Sequence, residues 1–259
     1  MTSLEKMLSL LDVFTLAAPV WSADDLIRYS GNSRATCYRY LKVLQAAGFL
    51  APVAGGAYVL GPRIIELDRH IRLQDPVYIA GGPPMQRLAS RSGHSALLFI
   101  LFSGTVMCVR EELKADAPEG LLSRGERRSL FKGAASKIIL ANLPPHQLRS
   151  LFARHRKTIA ASGLGADWTS FRERLKEIRK AGYCMTVGEY RKGALGIAAP
   201  LFNSDGHVLG SLGIAARATR VKQADIPDLI KRVTRAGQNA TARICSGEHG
   251  VDRPARAVS

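Results

Sequence analysis

Apolar residues at the start of the chain recur every three or four positions in three short stretches, which predicts three helices. The first extends from residue 4 to about residue 16, and Thr2 with Glu5 can form a capping box at its start. The second begins after Ser22, whose hydroxyl suits an N-cap, and the third lies within residues 32–49. A tight turn between the second and third helices makes the pair a helix–turn–helix.

Residues 32–49, NSRATCYRYLKVLQAAGF, have the pattern of a helix that lies against DNA. Cys37, Leu41 and Leu44 recur at helical spacing and predict one buried face. The other faces carry hydroxyls and cations, which contact phosphates and base edges in a major groove. The candidate contacts are Arg34, Thr36 and Arg39 to bases or phosphates, Ser33 and Lys42 to the backbone, and Arg28 and Tyr38 beside them.

A solvated surface helix is the alternative, since many amphipathic helices carry three cations. The local charge favours the DNA interpretation, because no Asp or Glu lies between Leu26 and Ile65. A carboxylate close to a phosphate backbone would be repelled, so a stretch without acids is what nucleic-acid docking needs.

Two short β-prone runs follow in residues 49–60, and they flank Gly55 and Gly56. Paired glycines supply the positive φ angles of a tight hairpin. A hairpin directly after a helix–turn–helix is the pattern of a winged helix, although a generic hairpin is the alternative. Helical spacing then predicts a linker helix over about residues 62–73.

The second half of the chain mixes helical and strand-like spacing and predicts an α+β domain. Gly81 and Gly82 lack the Lys-Ser/Thr of a phosphate-binding loop and are interpreted as a turn. Hairpin turns are expected at residues 103–104 and 203–206. The predicted helices cover residues 84–92, 134–142, 146–154, 168–181 and 222–245, and the predicted strands cover residues 95–102, 106–111, 194–202 and 207–215.

Composition adds a strong positive charge to this picture. The chain has 259 residues, 46% of them hydrophobic, and its 37 Lys and Arg against 21 Asp and Glu give a net charge of +16. Such a balance favours an anionic partner. Residues 1–61 hold five cations and four acids, so +1 of this charge lies there and +15 lies in residues 62–259. Total charge therefore does not locate the DNA site.

Cofactor and metal chemistry has little support in the sequence, and neither a cofactor nor a metal is predicted. The histidines show no metal-ligand spacing, and the longest apolar run, residues 96–102, is too short to span a bilayer. No C-x-x-C occurs among the cysteines, which argues against zinc and disulfides and fits a reducing cytosol. The cysteines are Cys37, Cys108, Cys184 and Cys245.

Cys108 and Cys184 are the candidate nucleophiles of an enzyme. Both lie in apolar, strand-like surroundings, so buried structural thiols are the favoured interpretation. Residues 210–213, GSLG, are one residue too short for a nucleophile elbow. A hydrolase or transferase is therefore unsupported by any motif.

The order of these elements resembles that of the IclR family of bacterial transcriptional regulators. The phrase SRATCYRYLKVLQAAGFL, followed by YVLGPRIIEL, is similar to the family's DNA-binding signature. In the second half, FKGAASKIILANLP and GYCMTVGEYRKGALGIAAPLFNSDGHVLGSLGIA resemble its small-residue helix and its late strand–loop–hairpin block. The resemblance runs from about residue 4 to about residue 245.

The resemblance implies an α+β chain with an N-terminal winged helix-turn-helix over residues 1–61. A linker helix over residues 62–75 would join it to a GAF-like α/β effector-binding domain over residues 76–246. The tail, residues 247–259, lacks apolar periodicity and is expected to be disordered.

The resemblance also implies an effector pocket, lined by the start of the small-residue helix, the late loop and the last two strands. Amides near the start of that helix could hold a carboxylate. Carried over position by position, the candidate effector-binding residues are Gly133, Ala134, Ala135, Thr186, Glu189, Ala194, Gly196, Gly213 and Ala215.

Two positions depart from the family pattern. Several family members have an acid at the place of Thr186 and a Cys or polar residue at the place of Gly196. Smaller groups here imply a roomier, less polar pocket that suits an aromatic or otherwise apolar-bodied ligand. Close strand packing is an equal alternative for Gly196 and Gly213. Four cations before the helix either attract an anionic effector or form a solvated face: Arg124, Arg127, Arg128 and Lys132.

The function that these observations predict is a cytoplasmic transcriptional regulator. It would bind double-stranded operator DNA and a small-molecule effector, such as an aromatic carboxylate or a related catabolic substrate, without a membrane. A single winged helix reads a short half-site, so at least a homodimer is expected, and the family resemblance implies a homotetramer, as a dimer of dimers. An enzyme acting on a small molecule, with the winged helix as a docking module, is the alternative. A regulator that has lost its effector and binds proteins is a third.

Overall fold

The computed structural model describes residues 2–115, 117, 118, 120 and 123–247. The chain divides into two compact units between Leu73 and Gln74. This division falls within residues 62–75, the predicted linker. The tail predicted to be disordered lies, apart from its first residue, outside the described residues.

The first unit contains the expected helices and hairpin. Thr2 and Glu5 form the predicted capping box, with each side chain accepting from the other's backbone N–H. The first helix ends at Ser9, well before residue 16, and Leu10 and Val13 enter the core from a run of turns. The elements are α1 (Ser3–Ser9), β1 (Trp21–Ser22), α2 (Ala23–Ser30), α3 (Arg34–Ala46), β2 (Leu50–Val53), β3 (Ala57–Leu60) and α4 (Arg63–Gln74).

The core of the first unit forms where the helix–turn–helix meets the hairpin. Leu26 of α2, Leu41 and Leu44 of α3 and Leu50 of β2 are each almost fully buried there. Burial of such side chains contributes about 1.5–3 kcal/mol each. The apolar face predicted for α3 is therefore the face that fixes its orientation within the unit.

The hairpin is confirmed, and it has a third strand that the sequence did not reveal. Strands β2 and β3 pair antiparallel, and the turn between them contains Gly55 and Gly56 at φ 77° and 70°. Trp21 and Ser22 of β1 pair with the other edge of β3. A two-residue strand carries no periodicity, which is why the sequence pattern could not show it.

The second unit is a six-stranded antiparallel sheet with helices on both faces. The strand order is β6-β5-β4-β9-β8-β7. The strands are β4 (Ser95–Phe102), β5 (Thr105–Glu112), β6 (Arg127–Arg128), β7 (Cys184–Val187), β8 (Ala194–Phe202) and β9 (Val208–Arg217). The helices are α5 (Pro76–Ser92), α6 (Ala134–Ala141), α7 (Pro145–Ala161), α8 (Trp168–Ala181) and α9 (Ile226–Cys245).

Alternate residues of the central strand β4 point to two separate cores. Leu97 and Phe99 belong to the core shared with α6, α7 and α8. Ala96 and Leu98 belong to the core shared with α5 and α9. This alternation follows from the period of two in a strand, and it places the start of α6 on one face of the sheet and the α5–α9 pair on the other.

The prediction of a turn at Gly81 and Gly82 is wrong, because both residues lie inside α5. Asp75 caps this helix and Pro76 begins it, so the helix starts eight residues earlier than predicted. A Cβ atom at Gly81 would lie 2.8 Å from Leu98 Cδ2, so glycine allows the helix to approach the sheet closely. Helix α7 is also longer than predicted.

Candidate functional site

The start of helix α3 is fixed by Ser33, one of the predicted DNA contacts. Its hydroxyl accepts from Thr36 N at 3.3 Å and donates to Thr36 Oγ1 at 2.9 Å. Ser33 is therefore an N-cap, and it orients the first turn of the helix. Thr36 is half-buried by this arrangement, whereas Ser33 stays exposed.

The exposed face of α3 collects the predicted cations. Arg34, Tyr38 and Lys42 are spaced four residues apart and are exposed, and Arg39 is exposed beside them. The Arg34 guanidinium lies 5.7 Å from the centre of the Tyr38 ring. Hydrogen bonding to Tyr38 and the charge of Asp24 raise the pKa of Arg34. The face is thus cationic, with one aromatic ring among the charges.

One carboxylate of α2, that of Asp24, reaches this face, and the neighbouring Asp25 pairs within its own helix. Asp24 Oδ1 is 3.3 Å from Arg34 Nη2, and Asp25 pairs with Arg28. Hydrogen bonding to Ser22 and the charge of Arg28 lower the pKa of Asp25. Both ion pairs are solvent-exposed, so each contributes little, and a phosphate can replace the carboxylate.

The candidate effector pocket lies between the sheet and the start of α6. Its cavity volume is about 60 Å³, and the cavity opens to solvent. Apolar side chains of β4, β8 and β9 form most of its wall, as is usual for small-molecule sites. Of the nine residues proposed from the family resemblance, those that line it are Gly133, Ala134, Ala135, Thr186, Ala194, Gly196, Gly213 and Ala215.

Glu189 is the ninth residue, and it lies beside the pocket rather than in its wall. Its Oε2 accepts from Gly133 N at 3.1 Å, and Thr186 Oγ1 accepts from Ala134 N at 3.1 Å. The first amides of α6 are therefore already used by the protein's own side chains. From the sequence we expect a carboxylate of the effector at this helix start, whereas the structure has the carboxylate of Glu189 there instead.

Lys137 holds Glu189 in this position. Its ammonium Nζ lies 2.6 Å from Glu189 Oε1 and donates to Ser162 O at 3.1 Å. Lys137 is only 6% exposed, so this pair is largely withdrawn from water. A buried lysine needs such a partner, because an unpaired buried charge is strongly destabilising.

Arg128 is a candidate site residue that the family resemblance did not supply. Its guanidinium stacks 4.1 Å from the centre of the Tyr190 ring and 5.1 Å from that of Phe99. Its Nη2 lies close to Gly133, where a Cβ atom would be only 2.3 Å away. Among the described residues, Arg128 forms no ion pair, and its buried Nε has no hydrogen-bond partner. Burial lowers the pKa of Arg128.

The strand pattern held a signal for this inward position. Arg127 and Arg128 are consecutive in β6, so they must point to opposite sides of the sheet. Arg127 is exposed, with its guanidinium 5.5 Å from the centre of the Phe102 ring. Of the four cations considered together in the sequence, Arg128 alone lines the pocket.

The two glycines with competing interpretations turn out to differ. A Cβ atom at Gly213 would lie 2.3 Å from Ile197 O, so close packing of β8 and β9 requires glycine there. A Cβ atom at Gly196 would lie 3.5 Å from Ala134 Cβ and 3.7 Å from Thr186 Oγ1, which are ordinary contact distances. Packing therefore requires glycine at position 213, whereas position 196 has room for one methyl group in ordinary contact with its neighbours.

The two strand cysteines are buried, as expected from their apolar surroundings. Cys108 lies in β5 and Cys184 in β7. Burial raises the pKa of the Cys108 thiol to about 12 and that of Cys184 to about 11. Both thiols are therefore protonated at neutral pH and are poor nucleophiles. In the described part of the chain, no helix is long and apolar enough to cross a membrane.

Comparison with known proteins gives the family. Residues 3–54 match the model of the IclR helix-turn-helix domain, and residues 74–242 match that of the bacterial transcriptional regulator IclR C-terminal domain. The chain is 24% identical to the transcriptional regulator KipR of Bacillus subtilis, over 92% of this chain and 95% of KipR. It is also 24% identical to XynR of Escherichia coli, over 91% and 94% of the two chains.

Solved structures agree with this assignment at the level of the fold. An IclR-type regulator of Silicibacter sp. TM1040 has a TM-score of 0.78 and 25% identity, covering 94% of this chain and 96% of that one. An IclR homologue of Microbacterium hydrocarbonoxydans, in complex with 4-hydroxybenzoate, has a TM-score of 0.74 and 19% identity, covering 94% and 99%. Since one family model alone spans more than half of its length, the chain belongs to the IclR family of bacterial transcriptional regulators.

Proposed function

We propose that α3 docks in the major groove of double-stranded operator DNA. Arg34, Thr36 and Arg39 contact bases or phosphates, and Ser33 and Lys42 contact the backbone. Arg28 and Tyr38 complete the surface. The support is the shared exposure of the cations on one face of a capped, rigidly packed helix. The hairpin beside α3 carries no charged side chain between Leu50 and Leu60, so α3 supplies most of the electrostatic contact.

We further propose that the pocket binds a small organic anion with an apolar body, such as an aromatic carboxylate. The observation that carries this is the Arg128 guanidinium, which is stacked on two rings and lacks a carboxylate partner among the described residues. Arg128 and Lys137 supply two positive charges and Glu189 one negative charge. A carboxylate ligand would balance the remaining charge, and Arg can bind it with two parallel hydrogen bonds.

The apolar body follows from the rest of the wall. Leu97, Ala198 and Ala215 line the pocket from three adjacent strands, on the face of the sheet that α6 covers, and Gly196 adds no side chain to that wall. The complex of the Microbacterium homologue with 4-hydroxybenzoate is consistent with this class of ligand. Effector binding changes DNA affinity only if its strength differs between two conformations of the protein.

We propose that the chain acts in the cytoplasm as a dimer or a dimer of dimers, and that it does not transform its ligand. Helix α4 supports self-association, since no residue on it is buried and Ile65 and Ile71 are 70% and 53% exposed. Protonated Cys108 and Cys184 do not supply the nucleophile that the enzyme alternative needs. Recovery of the ligand unchanged after incubation, measured by mass spectrometry, is the expected result.

DNA binding is tested with the region upstream of the chain's own gene, over a series of salt concentrations. Arg34→Ala and Arg39→Ala should each weaken binding about 5- to 150-fold where they contact bases. Arg69→Ala, an exposed cation of α4, is the matched control and should change little. If the chain bound operator and unrelated DNA equally, and no substitution changed that binding, α3 would be only a basic surface. The enzyme alternative would then have to be tested.

Effector binding is tested by screening benzoates and their amide analogues for release or tightening of the operator complex. Arg128→Met should weaken binding of an active carboxylate at least about 30-fold, because it removes one partner of a buried charge pair. Arg127→Met is the control, since it changes the neighbouring residue of the same strand on the solvent side. No response to any ligand, with operator binding intact, would favour the protein-interaction alternative.

A further inference from the structure

A basic groove lies between helices α5 and α9, on the face of the sheet opposite to α6. Arg87 and Arg91 of α5 form one side of it, and Lys231 and Arg235 of α9 form the other. All four side chains are exposed, above a floor that includes Leu88. We use the name basic groove for this set of four cations.

These cations have no carboxylates to balance them. Asp228 is the acid of this groove, and its Oδ2 lies 2.5 Å from Arg232 Nε. The same Arg232 donates from Nη1 to Arg91 O at 3.1 Å. Within the described part of the chain, no ion pair is formed by any of the four cations of the basic groove. The groove therefore presents four unpaired positive charges.

The spacing of the charges suits a ligand with several negative groups in a row. Arg87 and Arg91 are four residues apart, as are Lys231 and Arg235, so each pair lies about 6 Å apart along its helix. Like charges at this spacing destabilise a helix unless an anion lies between them. Three of the four cations are arginines, whose planar guanidinium binds phosphate with two hydrogen bonds.

The chemistry of this groove differs from that of the effector pocket. The pocket is walled by apolar strands and contains one inward arginine, whereas the groove is open and cationic on both sides. The groove also belongs to the part of the chain that carries +15 of the +16 net charge. Helix α3 and its hairpin lie in residues 1–61, which carry only +1 of the net charge.

We propose that the basic groove binds the phosphate backbone of DNA that flanks the operator. This rests on the proposed docking of α3, because a duplex bound there is tethered to the second unit through the chain, which raises its effective concentration at the groove. The groove then adds sequence-independent affinity through release of counterions from the neutralised phosphates. Its contribution depends on the length of the duplex, because a minimal operator has no flanking backbone.

The test compares two duplexes. One is the shortest that keeps sequence-specific binding sensitive to Arg34→Ala, and the other is the same duplex extended by about 20 base pairs of unrelated sequence on each side, about two further helical turns. The variant changes Arg87, Arg91, Lys231 and Arg235 to Gln. The control changes four exposed lysines outside the groove to Gln, so that both variants lose the same amount of positive charge. These are Lys157, Lys176, Lys180 and Lys222.

Wild type should bind the extended duplex more tightly, with a steeper dependence on salt. The groove variant should lose that gain, and its salt slope should fall by about 3.6 per chain if all four cations contact phosphates. Its affinity for the minimal duplex should stay within about twofold of wild type at high salt, where long-range attraction is screened. The control should keep the gain.

Any of four results would overturn the inference. Wild type could bind both duplexes equally, or the groove variant could keep the gain, or the control could lose as much of it as the groove variant does. Selective binding of polyglutamate rather than flanking DNA would likewise assign the groove to an acidic polypeptide. Failure of the α3 proposal is distinct, since it would abolish specific binding to the minimal duplex itself. Thermal melting of both variants confirms that they are folded.

Discussion

The room for one methyl group at Gly196 leads to a prediction that separates folding from effector binding. Gly196 lies within β8 at a negative φ, and alanine there would meet neighbours at 3.5 Å or more. Glycine inside a strand is about 0.5–1 kcal/mol less stable than alanine. Gly196→Ala should therefore raise the free energy of unfolding by up to that amount.

The same methyl group would occupy space in the pocket. Overpacking a filled site costs about 1–3 kcal/mol, so an effector that fills the pocket should bind Gly196→Ala about 5- to 150-fold more weakly. Operator affinity without effector should not change, because the substitution lies in the second unit. The expected phenotype is a protein that is more stable and less responsive.

Gly213→Ala is the matched control, with the same chemical change on the neighbouring strand. Its new Cβ would lie 2.3 Å from Ile197 O, so the strands must separate, and we expect a loss of about 1–3 kcal/mol. Urea unfolding followed by Trp168 fluorescence in a Trp21→Phe background reports the second unit. Destabilisation by Gly196→Ala, or an unchanged effector affinity for it, would refute the reasoning.

Three further outcomes are expected. Ser33→Ala should destabilise the first unit by about 1 kcal/mol, whereas Ser33→Asp should keep the cap and still lose operator binding, because its charge repels phosphate; urea unfolding and DNA titration separate the two effects. Burial raises the pKa of the Cys184 thiol to about 11 and that of Cys108 to about 12. The two thiols therefore stabilise the fold fully below pH 9, and this contribution falls as the pH rises, because the unfolded chain loses these protons first. Cys184→Ala should make the free energy of unfolding fall less steeply between pH 9 and 11, by about 1.4 kcal/mol per pH unit in unfolding titrations. Ile65→Glu with Ile71→Glu should yield monomers in sedimentation experiments if α4 mediates self-association, and unchanged assembly would contradict that role.

Features coded by a few neighbouring residues were predictable from the sequence. The caps at Ser22 and Ser33 are confirmed, because each hydroxyl accepts a hydrogen bond from the backbone amide three residues further on. Strands β4 and β8 and helix α8 have the predicted bounds, since each is bordered by a strong turn or cap signal. Helix α5 was the exception, because glycine and proline in its interior mimic a turn.

Features that depend on distant partners were not predictable. Arg34 belongs to a stretch without acids, yet Asp24 from the preceding helix reaches it once the helices pack. Arg128 belongs to a run of cations that looks like a solvated face. Its burial follows from the pairing of β6 with β5, a contact between residues about twenty positions apart. No local pattern encodes that pairing.

The charges at the start of α6 determine where an anionic ligand can bind in the pocket. A helix start favours an anion, and the protein supplies Glu189, held by Lys137. If the ligand carboxylate displaced Glu189, Lys137 would lose a buried partner, which is costly. If it bound Arg128 instead, it would gain an unpaired guanidinium and leave the Lys137 pair intact. The second arrangement is therefore favoured. It would place the ligand beside Tyr190, on the loop that also carries Glu189, and we expect the ligand to favour one conformation through movement of this loop.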